Sequence, residues 1–383
     1  MGSNELRPAR PGGQDGEAGA EAGPLPVVLI GAGKVAHAAH LREIRDLPGT
    51  VRLAAVIEAD PAHRAAALAG FPGTVAADDL KQAVQAGARA AICCTPWWTH
   101  RDTVLECLDL GLPVLCEKPV SLDPAEIDEL IEAERRSGVP VAAGYMKRHD
   151  PVVAEFIAYC RAHLDTGRRI AVDLHDPNAP HLVDHLMPYD ASPFGPQPPP
   201  AQEALRRALG PAATDAQREA YARGLGGSLI HQVNIVHAIL AGSGRLYGQL
   251  LGSDQWAGGS AVACRWRPAD GLLVDAAHLR LPGHRRYRET LEFTAADSVA
   301  LLSMPSPYAR DEAATLTVDT WDAGSGLATR RIRTAEPGHT GFRRQLVDWA
   351  RALAGDPAAP PMPGLTEVRE DAAAVREAAL RLS

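Results

Sequence analysis

Residues 26–36 read Pro-Val-Val-Leu-Ile-Gly-Ala-Gly-Lys-Val-Ala, an apolar run that breaks on two glycines and passes into an Ala- and His-rich helical segment. An apolar run with no polar alternation suits a strand covered on both faces. Gly31 permits the tight turn that must follow. Gly33 lets the backbone come close to a ligand at the helix N-terminus, and Ala36 stands where a third small residue is tolerated. A second apolar strand, 53–57, ends in Glu58, 27 positions after Gly31. An acid at that tip suits a ribose 2′-hydroxyl and repels a 2′-phosphate. Strand, glycine turn, helix and acid together predict a dinucleotide site, with Gly31, Ala32, Gly33, Lys34 and Val35 at the pyrophosphate and Glu58 at the ribose.

The same alternation of strand and helix continues downstream. Helices are expected at 61–69, with Asp60 as N-cap and Pro61 in the first position, at 79–87, at 100–110, and from Asp123 onward, again with Pro124 in the first position. Between them lie short apolar strands at 90–94, 114–116 and 139–144. Repeated units of this length imply a parallel, doubly wound sheet. After about residue 148 the pattern changes. A helix at 152–163 and a strand at 169–174 lead into a proline-laden insertion, 187–200, read as irregular. A long helix is expected from near Ser228, then a series of strands over 246–333 with glycine-containing turns, then amphipathic helices at 342–353 and 367–382. The expected fold class is therefore α/β. A Rossmann domain spans 25–147, and a C-terminal α/β domain with a large open, mainly antiparallel sheet spans 148–383. Residues 1–24 are expected to form a disordered tail.

Composition narrows the function. With 383 residues, 46% of them hydrophobic and 22% charged, and a net charge of −8, the chain has the make-up of a globular protein with room for two cores. No basic stripe points to nucleic acid, and no apolar run is long enough for a membrane. The six cysteines show no CxxC spacing and sit in apolar stretches, so they read as core residues of a reducing compartment. The start of the chain has no hydrophobic signal core, and a cytoplasmic location is expected.

A second constraint is Glu117-Lys118-Pro119, directly after the strand at 114–116. Pro119 biases Lys118 toward extended geometry and ends the ladder, so Lys118 emerges at the strand's carboxyl end, where open α/β sheets bind ligands. A surface ion pair with Glu117 would also account for Lys118 taken alone.

Together these residues resemble the Gfo/Idh/MocA family of nicotinamide-dependent oxidoreductases across nearly the whole chain after the tail. The glycine turn, Thr95-Pro96 followed by His100, Glu117-Lys118-Pro119, Gly144-Tyr145-Met146-Lys147-Arg148 and Gly226-Gly227-Ser228-Leu229 carry the likeness. The resemblance implies a Rossmann domain joined to an α/β domain whose open sheet often forms a homodimer or homotetramer interface. It implies NAD(P)-linked oxidation or reduction of sugars, cyclitols or nucleotide sugars. It places Lys118 at the nicotinamide ribose and the substrate oxygen, and Thr95, Pro96, His100 and Glu117 along the cofactor. Glu58 favours NAD, while His63 and Arg64 keep NADP open.

The departure lies on the substrate helix, where the family has an aspartate and, four residues later, an acid/base histidine. Here those positions are His231 and Ile235. His231 is expected to take the proton-transfer role, with Asn234 orienting substrate. The alternatives are that His231 only donates a hydrogen bond while Tyr145 or solvent moves the proton, that the enzyme reduces an imine, or that the chain is a non-catalytic dinucleotide sensor. Tyr145, Arg148 and His175 are further substrate-side candidates, Arg148 competing with a structural ion pair. Of Trp97 and Trp98, one walls the nicotinamide pocket and is taken as Trp98. His175, Asp176, His181, Asp184 and His185 cluster beside the insertion, and His181 and His185, four apart, have metal-ligand spacing; a solvated loop or substrate hydrogen bonding accounts for them before a metal does, and no metal is assigned.

Overall fold

The computed structural model describes residues 23–177, 183–188, 197–241, 246–269, 271–336, 338 and 340–383. The expected tail therefore lies outside the described residues except for 23 and 24, as do His181 and much of the insertion.

The first sheet is built from β1 (Leu25–Ile30), β2 (Val51–Ile57), β3 (Val75–Ala76), β4 (Ala90–Cys93), β5 (Val114–Cys116) and β6 (Val141–Ala143). Their order is β3-β2-β1-β4-β5-β6, all parallel. This is the Rossmann order, which reverses direction beside β1 and so opens a crevice at the carboxyl ends of β1 and β4. The helices that return the chain start where the sequence says they should. Asp60, Asp79, Asp123 and Asp150 each accept a backbone N–H at the first turn of a helix, a cap worth about 1 kcal/mol. The buried strands exclude water on both faces, with Val27, Val28, Leu29, Ala91, Ile92, Val114 and Cys116 all fully buried.

The second sheet has eight strands: β7 (Gly167–Asp176), β8 (Gln249–Trp256), β9 (Ala261–Ala269), β10 (Leu272–Arg280), β11 (Arg288–Ala295), β12 (Ser298–Met304), β13 (Thr315–Trp321) and β14 (Ala328–Thr334). They run in the order β14-β13-β12-β11-β7-β10-β9-β8. Every pairing is antiparallel except β7 with β10. One face packs on helices, so buried residues alternate along β10 and β11. β14 is exposed along its whole length.

Three features differ from the sequence reading. The insertion ends in a helix, Pro199–Leu209, whose prolines fall at its permissive first turn. The substrate helix begins before Ser228: a π-helical stretch, Ala220–Leu229, runs directly into Ile230–Leu240. Ten residues of π geometry are unusual and tend to mark functional sites. Third, helix Gly341–Leu353 returns to the first domain, where Leu346 and Trp349 join the core under β1 and β2. Pro363 accepts a hydrogen bond from Ala143 of β6 at 2.9 Å. The first sheet is thus completed by residues far beyond 147.

Candidate active site

At the glycine turn, Gly31 has φ +85°, and a Cβ there would lie 2.8 Å from the Cys94 carbonyl carbon and oxygen. Only glycine lets β1 approach β4 so closely. A Cβ on Gly33, by contrast, would meet nothing within 4 Å. The turn is therefore tight beneath and open above, which fits a pyrophosphate resting on its N–H groups. Glu58 closes the unit: Ala32 donates to it at 2.6 Å and Asp60 at 2.8 Å. Both carboxylate oxygens are fixed, with lone pairs left for ribose hydroxyls. Lys34 forms an ion pair with Asp184 of the insertion at 3.7 Å. Val35 packs beside Ala39, Met146, Phe342 and Tyr308.

At the end of β5, buried Glu117 accepts from His40 Nε2 at 2.8 Å and from the Lys118 backbone at 3.1 Å. Glu117 thereby ties the first helix to the catalytic strand. The Lys118–Pro119 peptide is cis, and the half-buried Lys118 Nζ donates to the Gly227 carbonyl at 2.7 Å. Burial pushes the Lys118 ammonium down from its ordinary value, against the opposing pull of Glu117 and Asp176 and with the repulsion of Lys147. His100 sets both ring nitrogens on carbonyls, Pro119 at 2.9 Å and Thr95 at 2.8 Å, so it pins the two strand-end loops together from behind. Thr95 accepts from Thr99 at 2.9 Å, and Pro96 is exposed at the rim. Trp97 packs on the core while Trp98, half-buried, stands edge-on to it at 5.7 Å.

His231 lies 8% exposed, with Nδ1 buried and without a hydrogen-bond partner. Burial holds the imidazole well below its ordinary pKa, and the charges of Lys118 and Lys147 add to this. It is a neutral ring beside two cations. Tyr145 meets it edge-on at 6.0 Å, and burial pushes that phenol up.

Two substrate-side candidates lie in a side-chain network. Arg148 donates to Asn234 Oδ1 at 3.0 Å and pairs with Glu367 at 2.5 Å. Asn234, fully buried, donates to Glu367 at 2.7 Å and to Asp371 at 2.8 Å. Both residues are held by the C-terminal helix Leu365–Leu380, so the ion pair of Arg148 is with that helix and not with the first domain. His237 and Tyr247 complete the same network, each 2.7 Å from Asp371.

His175 is placed by the register of β7. Along β7, Leu174 pairs with His278 and Glu289, residues whose side chains are buried under the helices. Alternation then puts His175 on the other face and Asp176 on the helix side. On the helix side Asp176 joins a set of charged and phenolic groups. Asp176 is close enough for its charge to act on Lys118, Tyr287 and Tyr308. Lys147 is paired at 2.6 Å with Glu289, which also accepts from Gln232 and Tyr287. Counting faces along β7 could have found Asp176; no local signal marks Glu289.

Residues 25–145 match the model of an oxidoreductase family with an NAD-binding Rossmann fold. Inositol 2-dehydrogenase from Arthrobacter sp. is 33% identical over 141 residues, which is 36% of this chain and 42% of that protein. Inositol 2-dehydrogenase from Streptomyces avermitilis is 37% identical over 148 residues, 38% of this chain and 41% of that protein. The aligned stretch thus spans about two fifths of these relatives. Over the whole chain the fold is similar to a 3-ketoreductase from Actinomadura kijaniata, solved with NADP and TDP-benzene, at TM-score 0.68 and 14% identity, covering 94% of this chain and 98% of that one. It is similar also to UDP-N-acetylglucosamine 3-dehydrogenase from Acidithiobacillus ferrooxidans, at TM-score 0.67 and 16% identity, covering 93% and 97%. The family model thus matches the nucleotide-binding third of the chain, which carries the glycine turn, Glu58 and Glu117-Lys118-Pro119, and the likeness over the whole chain is one of fold.

Proposed function

We propose that the protein is an NAD(P)-dependent oxidoreductase acting on a hydroxyl or carbonyl carbon of a sugar, nucleotide sugar or cyclitol. The observation that carries this is Lys118, held at the end of β5 between the glycine turn and the second sheet, with its ammonium bonded once, to Gly227. The remaining N–H donors are free for a substrate oxygen.

When bound, the nicotinamide supplies the hydride acceptor or donor. Lys118 stabilises alkoxide character on the reacting oxygen, a contribution worth about 10²–10³ in turnover. His231 takes the proton at Nδ1 during oxidation and returns it during reduction. Because the ring is neutral and flanked by cations, it is a weak base, so it takes the proton as hydride leaves, while Lys118 stabilises the negative charge that the transfer leaves on the oxygen. Trp98, Thr95 and Pro96 form the cofactor rim, with His100 and Glu117 fixing it from below. Tyr145 serves to orient His231.

NAD is the preferred cofactor. Glu58 is fixed by Ala32 and Asp60, and Arg64, one of the two residues that kept NADP open, is paired with Asp78 at 3.1 Å. The open second sheet supports a homodimer or homotetramer: it exposes Trp321, Leu327 and Ile332 at 51%, 66% and 62%. The six buried free cysteines support a reducing, cytoplasmic setting; no described helix is long and apolar enough to cross a membrane.

The test is turnover. Nicotinamide absorbance is followed with NAD and NADP against myo-inositol, D-glucose, glucose 6-phosphate and UDP-N-acetylglucosamine, with cyclic imines as a control for C=N reduction. Oxidation of a polyol that is lost in His231→Ala supports both the reaction and the proton role. Near-wild-type turnover in His231→Ala overturns the role of His231, and turnover of imines alone overturns the substrate class.

A further inference from the structure

On the helix side of the second sheet, His278 of β10 is 3% exposed, and its Nε2 has no hydrogen-bond partner among the described residues. A buried, orphaned imidazole nitrogen costs about 1–3 kcal/mol, a cost that a bound ligand can remove. The ring is fixed from behind. It stands over Gly224 of the π-helical segment, where a Cβ would come within 3.5 Å of Nδ1. That segment also supplies the Gly227 carbonyl that holds Lys118. Nε2 faces Asp176 Oδ2 at 4.0 Å, too far for a direct hydrogen bond. The Asp176 carboxylate is 30% exposed, and its charge reaches Lys118.

We propose that Asp176 and His278 form a substrate subsite that grips one non-reacting hydroxyl of the polyol whose oxidation or reduction is proposed above. A single oxygen about 2.8 Å from each atom spans the 4.0 Å gap with an angle of about 90° at the oxygen. It must donate to the carboxylate and accept from the imidazole N–H. A hydroxyl does both; an ether or carbonyl oxygen only accepts. Carboxylates have acceptor positions to spare, so other contacts of Asp176 do not block this one. The subsite therefore selects a ring with a free hydroxyl at a fixed distance from the reacting carbon. It rejects analogues in which that hydroxyl is removed or alkylated, because both protein groups are then left unsatisfied.

The test uses the full chain with saturating NAD and whichever of myo-inositol, D-glucose or UDP-N-acetylglucosamine is turned over best, together with its monodeoxy analogues. His278→Phe keeps the ring volume and removes the nitrogen, and kcat/KM should fall roughly tenfold to a hundredfold with KM for NAD unchanged. One deoxy analogue, and only one, should be handled equally by wild type and His278→Phe. His278→Gln, which restores an N–H donor at similar reach, should recover much of the loss. Asp176→Asn should show the same selective blindness and also move the alkaline limb of the pH–rate profile to lower pH, because the charge that raises the Lys118 pKa is gone. His278→Phe should leave that limb in place. Equal discrimination by wild type and both variants against every deoxy analogue overturns the subsite alone. If wild type turns over none of the polyols, the polyol reading itself fails and the subsite falls with it.

Discussion

The two walls of the cleft are made of different material. On the first sheet's side the ligand-facing surface is mostly backbone: the N–H groups of the glycine turn and the strand-end loops whose carbonyls hold His100. On the second domain's side the surface is backed by a chain of paired side chains. Lys147 pairs with Glu289 across 142 positions of sequence, and Arg148 with Glu367 across 219. A backbone wall can be specified by a few neighbouring residues of restricted conformation, and it changes little with the ligand. A side-chain wall needs partners from distant elements, and each partner is a place where specificity can be altered without touching the fold.

The largest effect that would separate the walls is on stability. Glu289→Ala leaves the buried Lys147 ammonium unpaired, along with Gln232 and Tyr287, and should cost about 3–5 kcal/mol in chemical denaturation. A loss under 1 kcal/mol would mean that the second wall is not held by its pairs. Next is chemistry. Lys118→Met should lower kcat by about 10²–10³ with little change in NAD affinity, since the glycine turn and Glu58 are untouched; parallel losses in both would merge the two walls into one site. Smaller again, Glu58→Ser should raise KM for NAD by roughly tenfold and improve the ratio for NADP, leaving polyol KM alone. A change in polyol KM would show that the walls are coupled.

The smallest is a pH effect confined to the side-chain wall. Burial alone would lower the His237 pKa, but the Asp371 carboxylate beside it wins and raises it. Burial in turn pushes Asp371 up, while His237, Asn234 and Tyr247 donate to it and favour its ionised form. A raised folded-state value stabilises fully below the unfolded histidine pKa of about 6.5 and is lost as pH climbs through the folded value. Unfolding free energy should therefore decline above about pH 6.5, and His237→Gln should flatten that slope. A slope unchanged in the variant would assign the pH dependence to other groups.

This division also explains what could be read in advance. Gly31, Glu58, Asp60 and Lys118 act through local geometry, each beside the strand or turn that defines its role, and the structure places them as the residues indicate. The network that holds Arg148 and Asn234 was not legible, because their partners, Glu367 and Asp371, lie on a helix more than 130 positions away, and nothing near either residue announces it. His175 is a different case. In a strand with one covered face, an error of one position moves a side chain through the sheet, so neighbouring Asp176 was the informative residue. The second sheet's class was legible from alternation, but the one parallel pairing, β7 with β10, depends on where a long crossover lands.

The return of helix Gly341–Leu353 to the first domain has a consequence for how the chain is made. Leu346 and Trp349 belong to the core beneath β1 and β2, so the nucleotide-binding domain leaves the ribosome before the second domain yet is completed after most of it. Until helix Gly341–Leu353 has been synthesised, the nucleotide-binding sheet carries an uncovered apolar patch. During synthesis that patch is open to chaperones, and a chain that stops short displays it as a mark of an unfinished product.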